Sequence, residues 1–549
     1  MIIKVLNEKL DMKQKKLQLF CVSVLAAILF ANCKKDKETS ISTTTTTTTT
    51  ETSIQTETAG ASRTQLTLDS IFLYAKQTYL WYDALPAYEA FNPRSYTTYG
   101  TGLNAFEKEL FNITQYKINA STGKAYEYSA TEPTYPKYSY IDDKSSSGST
   151  AFVPSAFSSV ELSGVGNDFG IGLSAVTGTD IRIRYVNPSS PGYIASLQRG
   201  DRIVTINNRT ARADSQTEVD FINNAFNSST ITLKVEKANS TTFTVSLTKT
   251  SYTTSPVMKT SVITKSNKTI GYIVFARFSS TSNAVADLDK AFADFAKSGI
   301  TDLIVDLRYN GGGYVSTAEH LVNLIAPSTL NGKTMYTEYY NDIMQKGNAS
   351  ILKYQPLYDD NNKLTPYTGG VNGKFATYAD VDYSVNGNTN KFAKAGSVNN
   401  LKTVCFIVSG NTASASELTI NSLKPYLTVK LIGSKTYGKP VGFFGITIDK
   451  YSVYMSNFQS RNANGEGDYF DGMAVDISAT DDVTHDFGDQ NEVCLSKALA
   501  YLTTGSTVTA NTTMSLKGGI KVSSAEVKPE VIPTQSTFNG MVENRHKLK

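Results

Sequence analysis

Apolar residues recur at helical spacing early in the chain: Leu68, Ile71, Phe72, Ala75, Tyr79 and Leu80. This predicts a helix over about 66–85, capped by Thr67 or Asp69. A second helix is expected near 102–113, so residues 63–155 read as a mostly helical region. Residues 160–252 change period, and their short alternations predict strands with one helix. From 258 to 504 the two periods alternate. Lys268–Phe275, Thr301–Leu307, Thr403–Ser409 and Thr428–Ile432 are apolar runs that predict buried strands. Helical spacing marks 284–298, 414–423 and a stretch through Ala318, Leu321 and Leu324. Such alternation implies an α/β core. Within it, 330–400 is polar and rich in Tyr, Gly and Asn, and reads as an insertion or β-rich excursion. The polar tail, 505–549, predicts no particular structure.

At 549 residues the chain is long enough for several domains. Residues 1–32 form a targeting pattern. Met12-Lys-Gln-Lys-Lys16 is basic, and an apolar run from Leu17 to Ala31 follows, short for a permanent membrane span. It ends in Leu-Phe-Ala-Asn-Cys33, which resembles a bacterial lipoprotein signal of the Bacteroidetes type. That resemblance implies lipidation of Cys33, a membrane anchor and an extracytoplasmic location in the cell envelope. Asn32 departs from the small residue usual before such a cysteine. An ordinary signal peptide with a chance cysteine is the alternative. Residues 33–62 include eight consecutive threonines, Thr43 to Thr50, and read as a disordered tether.

Two cysteines remain in the body of the chain. Cys405 lies in the run Val404-Cys-Phe-Ile-Val408 and Cys494 in a helical pattern, so both read as buried thiols rather than metal ligands. Trp81, the only tryptophan, reads as a core residue. The chain carries 53 basic and 49 acidic residues. This near balance gives no support to a nucleic-acid partner.

The densest chemical signal is Asn411-Thr-Ala-Ser414-Ala-Ser-Glu417 followed by Gly438-Lys439-Pro440. A serine hydroxyl needs a base to become a nucleophile. The three histidines, His320, His485 and His546, form no serine-hydrolase pattern. A buried lysine can serve instead, because desolvation favours the neutral amine. Ser414 also fits Ser-x-x-Glu, a helix capping box, so capping alone is the competing reading. Asp306-Leu-Arg308-Tyr-Asn310-Gly-Gly312-Gly313 is a strand end running into three glycines. Its bare amides suit a developing oxyanion, with Asp306 and Arg308 bracing the loop. Further upstream, Phe169-Gly170-Ile171-Gly172-Leu173 and the later Gly200-Asp201 segment together resemble a PDZ domain. In that fold such a loop offers its amides to a peptide carboxylate, and the adjacent strand edge accepts the peptide. A β-module that binds nothing is the alternative.

Taken together, the Asp-Leu-Arg-x-Asn-Gly-Gly-Gly loop, the Ala-Ser-Ala-Ser-Glu segment and Thr436-Tyr-Gly-Lys439 resemble the carboxyl-terminal processing peptidases, or tail-specific proteases. The resemblance spans about 160–500. It implies a crotonase-like α/β peptidase core, a PDZ domain that receives substrate tails, and endopeptidase activity without metal or cofactor. By motif, Ser414 becomes the nucleophile and Lys439 the general base. The N–H groups of Ala415 and of Gly312 or Gly313 become the oxyanion hole. The expected partners are proteins or peptides with exposed C-termini. One position departs from the family pattern: Phe443 stands where bacterial members often carry a lysine-orienting glutamine. Tyr437 or Glu417 would have to replace it. Two other readings remain. One is a peptidase-like lipoprotein that binds tails without cleaving them. The other is a Ser–His hydrolase using His485.

Overall fold

The computed structural model describes residues 60–143, 160–359, 363–505, 530–531, 540–543 and 545–549. The lipoprotein signal, Cys33 and the threonine tether lie outside these residues. The first helix, α1 (Arg63–Thr78), begins one turn earlier than its apolar spacing indicates, because Ser62 and Gln65 form a reciprocal capping box. Thr67 and Asp69, the expected caps, lie buried within the helix instead. Helix α2 (Leu103–Thr114) packs beside it. A short strand, β1 (Tyr140–Asp143), then pairs with Tyr451–Tyr454, more than 300 residues downstream. The 63–143 segment therefore has no core of its own. Leu68, Ile71, Phe72 and Trp81 share one continuous apolar cluster with the central α/β unit.

A β-module follows. Strands β2 (Ile171–Thr177), β3 (Asp180–Val186), β4 (Arg202–Ile206), β5 (Thr230–Glu236) and β6 (Thr242–Thr248) form a sheet of order β6-β5-β4-β3-β2, with helix α3 (Gln216–Asn227) beside β5. Its core, including Phe169, Leu173, Ile183, Phe226 and Leu233, is separate from the central cluster. At the β2 edge the sheet gains one more strand, Glu530–Val531, paired antiparallel to Ala175 and Ser174.

The central sheet runs β7 (Val257–Lys265), β8 (Lys268–Phe275), β9 (Asp302–Asp306), β10 (Thr403–Val408), β11 (Thr428–Gly433) and β12 (Ile477–Ser478). Only β7 is antiparallel to its neighbour. Parallel strands covered on both faces need apolar residues at every position, and β9 and β10 show the consequence. Leu303, Val305, Val404 and Phe406 face α4 (Thr281–Lys297), α5 (Val315–Ile325) and α6 (Ala415–Leu423). Ile304, Cys405 and Ile407 face α7 (Val493–Thr504) on the other side. Cys405 and Cys494 are buried free thiols.

The 330–400 stretch holds the strands Thr334–Tyr340 and Thr389–Lys391, which pair with each other. Its strand Thr334–Tyr340 pairs with Phe458–Asn462, which in turn pairs with Val441–Gly442. One strand of this second sheet, Val441–Gly442, directly follows Lys439-Pro440 in sequence. Loops at the carboxyl ends of β9 and β10 face the same region, where open α/β sheets present their ligand sites.

Candidate active site

Ser414 closes the turn between β10 and α6. Its backbone sits at φ 61°, ψ −111°, a conformation that costs an L-residue about 1–3 kcal/mol and persists only where the surroundings enforce it. A sharp strand-to-helix turn of this kind presents a nucleophile's oxygen outside the helix. The expected capping box is half made. The Ser414 N–H donates to Glu417 Oε2 at 2.9 Å, but Oγ makes no cap hydrogen bond. That Oγ is buried and has no hydrogen-bond partner, which capping alone does not explain.

Glu417 ties the two halves of the site together. It is fully buried. Oε2 accepts from the N–H of Ser414 at 2.9 Å and of Lys439 at 2.8 Å. Oε1 accepts from Gly438 N–H at 2.8 Å and Thr436 Oγ1 at 2.5 Å. One carboxylate oxygen thus joins the main chains of Ser414 and Lys439. Burial still outweighs these four bonds and leaves the Glu417 pKa raised.

The Lys439 side chain is fully buried, and desolvation lowers its pKa to about 7. Glu127 and Glu417 work against that shift, while the cation of Lys137 adds to it. Nζ donates to the Tyr138 carbonyl at 3.3 Å and stands 4.4 Å from the centre of the Phe443 ring. Phe443 therefore does two things: it excludes water from the amine, and its π face favours the lysinium once formed. Orientation comes from the Tyr138 carbonyl and from Glu417 acting on the backbone. Tyr437 takes no direct part, since its hydroxyl donates to Lys137 O. Gly438 must be glycine here: at φ +87° a β-carbon would lie 2.3 Å from Gly472 N.

The 63–143 segment supplies part of this environment, which its sequence did not announce. Tyr138 also donates its hydroxyl to Gly438 O at 2.6 Å. The buried Glu127 accepts from Ser139 N and Oγ at 2.9 and 2.8 Å, and from Ser456 Oγ at 2.9 Å.

The glycine loop lies beside Ser414. A β-carbon on Gly312 (φ +105°) would stand 3.0 Å from Ser414 Cβ. Asn310 holds the loop: its Nδ2 donates to Phe275 O, and its carbonyl accepts from Ala413 N at 3.1 Å and Ser416 Oγ at 2.9 Å. Asn310 Oδ1 also takes the Gly312 N–H, at 2.9 Å. That amide is engaged in bracing the loop, which corrects its expected place in an oxyanion hole. The N–H of Ala415, in the first turn of α6 where amides lack intrahelical acceptors, and that of Gly313 are the remaining candidates. Asp306 and Arg308 brace the loop as expected. Arg308 is buried and bonds Asp306, Asp481 and Glu492 at 2.7–3.1 Å. Arg199 of the β-module joins this network through Asp481 at 2.7 Å.

His485 is placed elsewhere. Its Nδ1 pairs with Asp482 at 2.6 Å, and its carbonyl accepts from Arg199. His320 pairs with Asp289, and His546 packs on Tyr378 and Phe444. In the β-module, Phe169, Gly170, Ile171, Gly172 and Leu173 are all buried. The Gly170 N–H donates to Asp168 Oδ1 at 2.5 Å. A carboxylate of the chain itself thus takes a loop amide expected to receive a peptide terminus.

The chain is similar to known peptidases over part of its length. A C-terminal processing peptidase from the chloroplast of Tetradesmus obliquus is 24% identical over 304 residues, covering 52% of this chain and 54% of that protein. A CtpA-like serine protease of Staphylococcus aureus (strain N315) is 24% identical over 281 residues, 51% of this chain and 46% of its own. The chain spans about half the length of these curated relatives. A crystal structure assigned to the S41 proteases, from Bacteroides fragilis, has 23% identity and a TM-score of 0.49, covering 80% of this chain and 97% of its own. Strands β9 to β11, the glycine loop, Ser414 and Lys439 fall within residues 269–477, which match the model of peptidase family S41.

Proposed function

We propose that this protein is a serine endopeptidase that cleaves extracytoplasmic proteins or their C-terminal tails through a Ser414–Lys439 dyad. The observation that carries this reading is that Glu417 Oε2 bonds the main chains of both Ser414, whose hydroxyl is buried and unbonded, and Lys439, whose side chain is fully buried. Neutral Lys439 takes the Ser414 proton as Oγ attacks a peptide carbonyl. The Oγ–C bond forms, and the N–H groups of Ala415 and Gly313 hold the oxyanion. The C–N bond then breaks, and the leaving amine takes the proton from the Lys439 ammonium. Water, deprotonated by the same amine, hydrolyses the acyl-enzyme and restores Ser414.

The β-module supplies a PDZ-like docking surface. With Asp168 on the Gly170 amide, the edge of β2 is the part suited to a peptide, added as an extra strand. Cys33 serves as the lipid attachment point that holds the enzyme at the cell envelope.

A second reading is a peptide holder without hydrolysis. Phe443 favours it, because it stands where the family's lysine-orienting glutamine would be. Casein digestion separates the two. The native protein should degrade casein, and Ser414→Ala and Lys439→Ala should abolish cleavage while retaining peptide binding. Undiminished cleavage by Ser414→Ala removes the dyad assignment, and an inert native protein leaves the holder.

A further inference from the structure

The polar tail predicts no particular structure, yet its strand Gly540–Val542 lies between the glycine loop beside Ser414 and the segment that follows Lys439. Strand Gly540–Val542 pairs in parallel with Gly312–Tyr314, in the register Gly312 to Gly540, Gly313 to Met541 and Tyr314 to Val542. Gly540 N–H donates to Gly311 O at 3.0 Å. The opposite edge of the same strand meets the segment that follows Lys439. Phe443 N–H donates to Met541 O at 3.1 Å, and Glu543 N–H donates to Phe443 O at 3.3 Å. The strand therefore fills the slot between the glycine loop and the lysine's own segment. The point where a Gly312 β-carbon would stand is 2.4 Å from Gly540 O and 3.0 Å from Ser414 Cβ. Only a glycine at 312 leaves room for that peptide carbonyl and the serine on either side of it.

The side chains agree with an occupied binding site. Met541 is fully buried in the central cluster. Arg545 pairs with Glu319 at 2.7 Å. Further on, Lys547 O accepts from Asp382 N–H and Lys549 N–H donates to Asp380 O. Glu543 enters beside the buried Glu338, and Arg545 stands 3.7 Å from Glu543 as well as pairing with Glu319. Upstream, Glu530–Val531 adds to the β2 edge, so one stretch of chain visits both surfaces that a peptide would use.

We propose that the strand Gly540–Val542 occupies the substrate groove as a built-in competitor. Substrates then enter as an extended strand parallel to Gly312–Tyr314, with an apolar side chain at the place of Met541. The substrate class rests on the peptidase reading above; the occupancy of the groove does not.

The test uses the full chain. A buried carboxylate at 541 should expel the strand, so Met541→Asp is one variant. Arg545→Glu, on the exposed flank, is the second and guards against misfolding of the first. Each is combined with Ser414→Ala and titrated with a fluorescent peptide of residues 537–549. Freeing the groove should tighten peptide binding about tenfold or more relative to Ser414→Ala alone. The same peptide with Asp for Met541 should not bind. With Ser414 intact, Met541→Asp or Arg545→Glu should lower the KM for a peptide substrate by a similar factor and leave kcat unchanged. Equal peptide binding with and without the two substitutions, or equal binding of the Asp peptide, overturns the proposal. Tighter binding without hydrolysis in any form supports the groove and removes the peptidase reading.

Discussion

Glu417→Gln tests whether one carboxylate organises both halves of the site. Gln is nearly isosteric but carries an oxygen on one side and an NH2 on the other. Oε1 and Oε2 of Glu417 each accept from two donors. With its NH2 at the Oε1 position, the Thr436 hydroxyl can turn to accept, and the Gly438 N–H is left facing a donor. A buried group left unsatisfied costs about 1–3 kcal/mol, so a loss of about 2 kcal/mol is expected. That is a large share of the about 5–15 kcal/mol that usually separates folded from unfolded. Trp81, the single tryptophan, stacks on Tyr126 at 4.6 Å in the central cluster, so its fluorescence reports unfolding directly. A purely structural role would end there. Glu417 also raises the Lys439 pKa, so its neutralisation should move the acid limb of kcat/KM to lower pH even as the rate falls. Unchanged stability together with an unmoved limb would refute the linkage through Glu417.

Three further outcomes follow from the geometry. Because the Lys439 pKa lies at about 7 and the base must be neutral, kcat/KM should rise with pH through about 7. A lysine with a depressed folded pKa also binds fewer protons than in the unfolded chain, where its pKa is about 10.4, so its contribution to stability should rise with pH from about 7 to about 10. A pH series of rates and unfolding midpoints checks both signs. Gly312→Ala would set a methyl group 2.4 Å from Gly540 O and 3.0 Å from Ser414 Cβ at φ +105°. It should destabilise the loop by about 1–3 kcal/mol and reduce casein cleavage at least tenfold, measured by unfolding and turnover on one preparation. His485→Ala removes a pair with Asp482 outside the site and should leave casein turnover within about twofold of the native protein, whereas a Ser–His mechanism demands its loss.

The parts of the structure legible from sequence are those fixed by local pattern. β8 to β11 read correctly because strands buried on both faces are apolar at every step. Ser414, Lys439 and the glycine loop stand out in the sequence because each falls in a short motif, and the fold joins the main chains of Ser414 and Lys439 through Glu417. Long-range placement was not legible. Nothing around Glu127 or Tyr138 announces that they will line the pocket of Lys439, since that follows from β1 pairing with Tyr451–Tyr454. The Asn310 side chain spends the Gly312 amide, and Asp168 spends that of Gly170; a glycine motif shows where amides are bare but not which are already bonded. The strands Thr334–Tyr340 and Gly540–Val542 escaped for a related reason. Both lie in polar surroundings, and the second is too short for a period to show, so their pairing partners define them.

The most direct test is covalent. A fluorophosphonate probe reacts with a serine only when a neighbouring base activates its hydroxyl. Peptide mapping of the labelled native protein should place the adduct on Ser414, with labelling falling as pH drops below about 7 and vanishing in Lys439→Ala. An adduct on another serine, or Ser414 labelled equally well without the lysine, would contradict the account.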